Sequence, residues 1–327
     1  MTTSTPTKPP RKSKRLRHVH DTSRIPERGR SRLGYWLYFI PGAALLAVVI
    51  IYPIVRNFRL SFFNWRGGRA EESFAGFDNW IALFSDEEYL QSFQNIILVI
   101  FAMVIVPTLL GLVIAALLFD VVGRRFSGKL SSFLRATYYL PQILPIAVAG
   151  VLFGWLLRPN SNGVVNQFLS FITGDDVTVN WLGGSYMTAM GSVMVLMIWI
   201  QIGYPIVIFM AALQRVDPEL YEAAELDGAN WYTRFRAITL PMIKPEVFVV
   251  SLTTTIAAMK VFAPVFILTQ GGPAKSTYVP SFYAYNEFIN GTDKGYAAAI
   301  ASSITIVVFV IALIFIRLQN RSERKDA

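Results

Sequence analysis

Six apolar blocks, each long enough to cross a bilayer as a helix, constrain this 327-residue chain more than any other feature. A helix rises about 1.5 Å per residue, so about 20 apolar residues cover a hydrocarbon core about 30 Å thick. The blocks run approximately over 36–55, 96–119, 136–157, 186–213, 247–268 and 297–316. A backbone amide without a partner in lipid costs several kcal/mol, which forces the blocks into helices, and the alternating segments of an outer-membrane barrel are missing. The expected fold class is all-α: a polytopic membrane protein with six transmembrane helices. The expected organisation is a disordered basic tail over 1–32, a membrane domain over 33–318 and a short tail over 319–327.

Composition narrows the chemistry. Hydrophobic residues make up 54% of the chain and charged residues 16%, a membrane-protein balance. With no cysteine, disulfides, thiolate metal sites and cysteine nucleophiles are excluded, and the two histidines, His18 and His20, lie in the polar tail. No catalytic residue, metal ligand or cofactor is expected in the apolar part. The net charge of +9 owes much to ten Lys or Arg in the first 32 residues. Nucleic-acid or anionic-lipid contact is one reading of that tail; the favoured one is a cytoplasmic segment that orients the first helix, with no nucleic-acid partner. A cleaved signal peptide does not fit, because the apolar run that follows is long enough to span.

When the segments between blocks are assigned to alternate sides, one side collects 22 Lys or Arg and the other seven, with Lys260 inside a block. The positive-inside rule then puts both termini in the cytoplasm, in a plasma membrane crossed six times. The segments near 56–95, 158–185 and 269–296 are expected outside, where Phe62, Phe63, Trp65, Phe77, Trp80 and Trp181 read as an interfacial aromatic belt.

The inner segment 214–246 is too long and too patterned for a simple connection. Asp217 suits a helix N-cap with Pro218 at the first helical position, and Glu219, Glu222 and Glu225 add negative charge near a positive helix start. A short helix from Pro218 to about Leu226 should end at Gly228, which readily takes a left-handed conformation. A second short helix is expected from Trp231 to Thr239, closed by Leu240-Pro241. Two helices at an angle make a rigid knob, and Ala223, Ala224 and Ala229 keep its tip slim enough for a groove on another protein. The alternative, a helix pair lying on the headgroups, conflicts with acidic Glu219, Glu222, Glu225 and Asp227 facing an anionic leaflet.

Glu222-Ala223-Ala224, then Asp227-Gly228-Ala229, then Phe235, Ile238, Leu240-Pro241 and Pro245 resemble the cytoplasmic EAA loop of permeases from binding-protein-dependent ABC importers. Leu140-Pro141 with Pro145, Gly203-Tyr204-Pro205, Leu268 to Pro273 and Gly295 to Ile300 are similar to the maltose-type, carbohydrate-uptake branch. The resemblance covers about 35–317 and implies a type I importer permease fold. It implies four kinds of partner: a second permease forming a heterodimer, two ATP-binding cassette ATPase subunits, an extracellular solute-binding protein, and a sugar. Hydrolysis would belong to the ATPases, so the chain itself is not an enzyme. The loop would insert into an ATPase cleft with Glu222 and Gly228 as pivotal positions.

A decoy and a set of candidate solute contacts complete the reading. GRRFSGKL over 123–130 nearly spells a phosphate-binding loop, but Leu130 stands where a magnesium-ligating hydroxyl belongs and an apolar block precedes it in place of a strand. Polar residues within spans face pathways or other helices more often than lipid, which singles out Gln142, Trp199, Gln201, Ser251, Thr253, Thr254, Thr255 and Lys260. By resemblance, Gln142, Trp199, Ile202, Gly203 and Thr254 fall near sugar-contacting positions of maltose-type permeases. Helix packing and back-bonding of hydroxyls compete with that reading. An ammonium at Lys260 needs a carboxylate, carbonyls or water, and either an anionic solute or the partner permease would explain it. The alternatives to a sugar are a non-sugar solute such as a glycerophosphodiester, or an ion-coupled secondary transporter. The latter is disfavoured because the six blocks hold no Asp or Glu.

Overall fold

The computed structural model describes residues 32–119 and 128–326, so the tail over 1–31 and most of the phosphate-loop decoy lie outside the described residues. The described residues divide into two units, one ending at Pro53 and the other beginning at Ile54. In the first, α1 (Arg32–Leu46) runs into a π-helical turn at Ala47–Ile51, and every described side chain from Tyr38 to Pro53 is exposed.

The second unit begins within α2 (Tyr52–Leu60) and continues through a small hairpin, β1 (Phe63–Asn64) and β2 (Ser73–Phe74), in which Phe63 pairs with Phe74. Then follow α3 (Asp78–Ser85), α4 (Glu87–Ile100), a π-helical turn at Phe101–Ile105 and α5 (Val106–Leu117). The remaining helices are α6 (Gly128–Ile143), α7 (Ile146–Leu156), α8 (Val164–Thr173), α9 (Tyr186–Gln201) and α10 (Gly203–Leu213). After them come α11 (Pro218–Leu226), α12 (Trp231–Arg234), α13 (Leu240–Met242), α14 (Lys244–Met259), α15 (Ala263–Leu268), α16 (Pro280–Asn290) and α17 (Lys294–Asp326). Among the described residues four helices are long and apolar enough to cross a membrane, or six when each of two bent pairs counts as one span.

Proline explains why the third, fourth and fifth blocks are interrupted. A proline lacks the N–H that would bond the carbonyl four residues back, and its ring crowds that carbonyl. Pro145 separates α6 from α7, which bend by 99°. Pro205 sits four residues after Gln201, where α9 gives way to α10 at Ile202. Pro264 sits four residues after Lys260, and α14 stops at Met259. The fifth block is therefore not one helix over 247–268 but α14, a break at 260–262 and α15. The Ser281 hydroxyl donates to the Val261 carbonyl that the break releases.

Two apolar clusters hold the bundle. One gathers Val99, Met190, Leu196, Met259, Val265 and Ile300; the other, nearer the 214–246 segment, gathers Leu112, Ile206, Phe209, Leu213, Ile243 and Val250. Helices approach closely where side chains are small: a Cβ on Gly111 would lie 2.6 Å from the Pro205 ring.

The end of the bundle away from 214–246 is organised by buried asparagines. Asn95 donates to the carbonyls of Ser276 (2.7 Å) and Tyr278 (2.8 Å) and accepts from the Tyr186 hydroxyl at 2.9 Å. Asn166 donates to the carbonyls of Arg158, Asn160 and Val179 and accepts from the Trp181 indole. Trp80 donates to Ser61 and packs with Phe58 and Phe62. Trp80 and Trp181 are thus half-buried parts of a folded layer, a role that aromatic composition alone does not separate from an interfacial belt.

Asp86 ties three helices at that end. It caps α4 by accepting from the backbone N–H groups of Glu88 and Tyr89, and the hydroxyls of Tyr283 in α16 and Tyr296 in α17 donate to its other oxygen. Burial opposes ionisation of Asp86, but the four hydrogen bonds outweigh it and hold the carboxyl below its usual range. Asp86→Ala should lower stability by about 3 kcal/mol, the sum of a lost cap and two charge-assisted bonds. Because the folded pKa is depressed, this contribution is complete above the ordinary carboxylate pKa of about 3.9 and is lost as pH falls through the lower folded value. Thermal unfolding of wild type and variant should differ constantly from about pH 5 upward and converge in stronger acid. A gap that widens below about pH 4 contradicts the assignment.

Candidate functional site

The 214–246 segment folds as a cross-braced elbow. The Asp217 carboxylate accepts from the Glu219 N–H at 3.0 Å and opens α11, with Pro218 in the first turn. At the far end Gly228 takes φ +77°, and the Ala229 N–H reaches back to the Ala224 carbonyl at 2.9 Å while Gly228 N–H bonds Glu225. This closure satisfies the last carbonyls of α11 and turns the chain sharply. Asn230 then caps α12 through the Thr233 N–H at 2.9 Å.

The second arm differs from the expected helix closed at Leu240-Pro241. After α12 it widens into a π-helical turn at Phe235–Thr239 and passes through Leu240 and Pro241 as α13, bending by 68° into α14. Pro241 fits because it stands at the first turn of α13, where its missing N–H is least costly.

Two contacts lock the arms together: Arg234 pairs with Glu225 at 3.4 Å, and the buried Tyr221 hydroxyl hydrogen-bonds Thr239 at 3.1 Å. Within the second arm Trp231 stacks on Phe235 with ring centroids 5.3 Å apart. Tyr221 also packs on Phe119 at the end of the second block, with centroids 5.8 Å apart, so the elbow is seated on the bundle. Of the residues expected to dock, Glu222, Ala223, Asp227, Gly228 and Leu240 are exposed, Ala224 and Ala229 half-buried, and Pro241 exposed. Leu226, at the tip, is 89% exposed. Sequence reasoning missed both Leu226 as a tip contact and Tyr221 as the seat; an apolar residue directly before the Asp227-Gly228 turn, on the face opposite Tyr221, was the available signal.

The candidate solute contacts cluster at the helix breaks with unequal roles. Gln142 ends α6 one turn after Tyr138, half-buried, with its carbonyl oxygen buried and unpaired. Gly203 is buried where α10 meets α6, and a Cβ there would lie 2.3 Å from the Tyr138 carbonyl. Gln201 is buried, and Ile202 is half-buried against the Ile206 cluster. Trp199 is 37% exposed and rests on Phe153 with centroids 5.5 Å apart. Thr254 is buried with its hydroxyl bonded to the Val250 carbonyl at 2.7 Å, so its hydroxyl already serves its own helix.

Within this chain taken alone Lys260 does not lie in the core. It is exposed at the C-terminal end of α14, where proline has broken the helix. It shares an exposed face with Thr253 and Ala257, and Thr253 meets the Tyr204 hydroxyl at 3.2 Å. Thr253, one of the polar residues expected in the fifth block, donates to the Val249 carbonyl at 2.8 Å as well, and Tyr204 is what the tertiary structure adds to the polar set. Unwound backbone and a polar stripe at membrane depth persist where they line a water-filled cavity or face protein.

Comparison with known proteins agrees with this architecture. Residues 107–325 match the family described as "Binding-protein-dependent transport system inner membrane component". A probable ABC transporter permease of Bacillus subtilis (strain 168), YurN, is 34% identical over 85% of this chain and 93% of its own length. The lactose transport system permease LacF of Rhizobium radiobacter is 32% identical over 89% of this chain and 94% of its own length. A chain of a bacterial ABC transporter involved in import of the acidic polysaccharide alginate superposes with a TM-score of 0.76 at 23% identity, covering 88% of this chain and 96% of that one, and so shares the fold. The chain belongs to the inner-membrane components of binding-protein-dependent transport systems, and is a permease subunit of an ABC importer with no enzymatic activity of its own.

Proposed function

We propose that this permease forms half of the pathway for a sugar or oligosaccharide that an extracellular binding protein delivers, and that its elbow docks into one of two partner ATPase subunits. The elbow carries the reading: a short braced double helix, seated on the bundle at Tyr221 and presenting Leu226, Glu222 and Gly228, transmits a push as one body. Closure of the ATPases would move it and switch the bundle between inward- and outward-facing states. Relatives named for lactose, trehalose/maltose and multiple sugars support a carbohydrate solute. Trp199, exposed beside Phe153, offers an aromatic face, while Gln142 with its unpaired oxygen, Gln201, Tyr204 and Thr253 offer polar partners for hydroxyls. Ile202, Gly203 and Thr254 would shape that wall by packing, and Lys260 would stand at its edge.

A heterodimer with a second permease follows from this reading, as does a cytoplasmic elbow, which the 22-to-7 distribution of basic residues supports. Uptake by proteoliposomes holding the full complex tests it. Transport should require both internal ATP and external binding protein, and a sugar should compete with the labelled solute. Uptake driven by an ion gradient without ATP overturns the reading.

A further inference from the structure

A groove of about 510 Å³ opens on the bundle between the second, fifth and sixth spans, and its chemistry does not suit a sugar. Its walls are mainly aliphatic and aromatic, with Val104, Val247, Phe248 and Phe315 among them. The two hydroxyl residues in it, Ser251 and Thr255, ask little of an occupant, since the Thr255 hydroxyl donates to the Ser251 carbonyl at 2.6 Å. A ring of sugar hydroxyls brought here would find few partners along the apolar walls and lose several hydrogen bonds to water.

Length and charge identify a better occupant. On α14 the lining residues 244, 247, 248, 251 and 255 form one helical stripe. Eleven residues at about 1.5 Å each make that stripe about 16 Å long, close to the half-thickness of a hydrocarbon core about 30 Å deep. The stripe ends at Lys244, which is exposed and stands at the 68° bend between the elbow and α14. Across the groove stand Ile311 and Phe315, four residues apart on one face of α17. One leaflet of depth, an apolar trough and an ammonium at the headgroup level match an anionic phospholipid.

We propose that this groove binds an anionic phospholipid of the cytoplasmic leaflet, one acyl chain lying along Val247 and Phe248 and the phosphate at Lys244. The leaflet, though not the groove, rests on the orientation given above. A lipid seated there bears on the joint through which the elbow moves α14, so membrane composition sets how tightly hydrolysis is coupled to transport.

Native mass spectrometry of the purified full complex, exposed in turn to phosphatidylglycerol and phosphatidylcholine, tests the site. Wild type should retain phosphatidylglycerol about tenfold better, about 1.4 kcal/mol. Lys244→Gln should remove the preference while leaving the complex assembled, and Val247→Trp, which fills the trough, should remove retention of both lipids. A photoreactive residue at position 248 should capture lipid in native membranes. Equal retention of the two lipids, an unchanged preference in Lys244→Gln, or capture of a protein helix at 248 overturns the proposal. Labelling of Lys244→Cys from the outer face of intact cells overturns the leaflet assignment, and the orientation reading with it, independently of the retention result.

Discussion

Gly228→Asp should leave the permease folded and inserted but reduce uptake by at least roughly 100-fold, about 2.7 kcal/mol of coupling. Nothing lies within 4 Å of the Cβ this residue would carry, so the chain itself has room for the side chain. The backbone penalty is modest, because φ +77° is a conformation that Asp tolerates better than most residues. What changes is the tip: a bulkier and more negative surface beside Glu222, Glu225 and Asp227, where a partner must close around Gly228. ATPase subunits should no longer copurify, or should hydrolyse ATP without stimulation by loaded binding protein. Gly228→Ala adds a methyl group without charge and should fall between. Normal uptake by Gly228→Asp, with the variant present at wild-type abundance, would defeat the docking model.

Gly203→Ala should damage the bundle itself. Even a methyl group there meets the Tyr138 carbonyl at 2.3 Å and the Tyr139 Cα at 2.9 Å, both backbone atoms that cannot swing aside. Separating α6 from α10 to admit it should lower stability by about 3 kcal/mol and depress uptake with it. Gly154→Ala is the control, since no atom lies within 4 Å of its Cβ position and alanine favours a helix. Thermal unfolding of the two variants in the same detergent makes the comparison. If Gly203→Ala unfolds with wild type yet raises the KM for uptake, Gly203 touches solute and the packing account is wrong.

Legibility followed the range of the interactions involved. The first arm of the elbow could be placed to the residue because its determinants are local: Asp217 bonds an N–H two residues away, and at the Gly228 turn the N–H groups of Gly228 and Ala229 bond carbonyls three and five residues back. The second arm was harder. Residues 235–239 wind as a π-helical turn whose last residue, Thr239, is held by Tyr221, 18 residues earlier. The candidate solute residues show the same division. Thr254 and Thr253 are adjacent and chemically identical, and both hydroxyls bond back to their own helix, yet Thr254 is buried in the core while Thr253 is exposed and also meets Tyr204 from the neighbouring span. No property of the two threonines taken alone distinguishes them.

The amino-acid sequence by itself determined that the chain crosses a membrane and about where it does so, because hydropathy over about 20 residues acts within one segment. Which prolines interrupt a helix was not legible, since Pro145 and Pro264 stand at breaks while Pro41 and Pro141 lie inside helices. Tertiary structure alone decided what each interruption exposes. Lys260 lies in an apolar block and yet is exposed; Asn95, just ahead of the second block, holds carbonyls 181 and 183 residues away. Partners this remote are selected by how the helices pack, and packing is a property of the whole bundle.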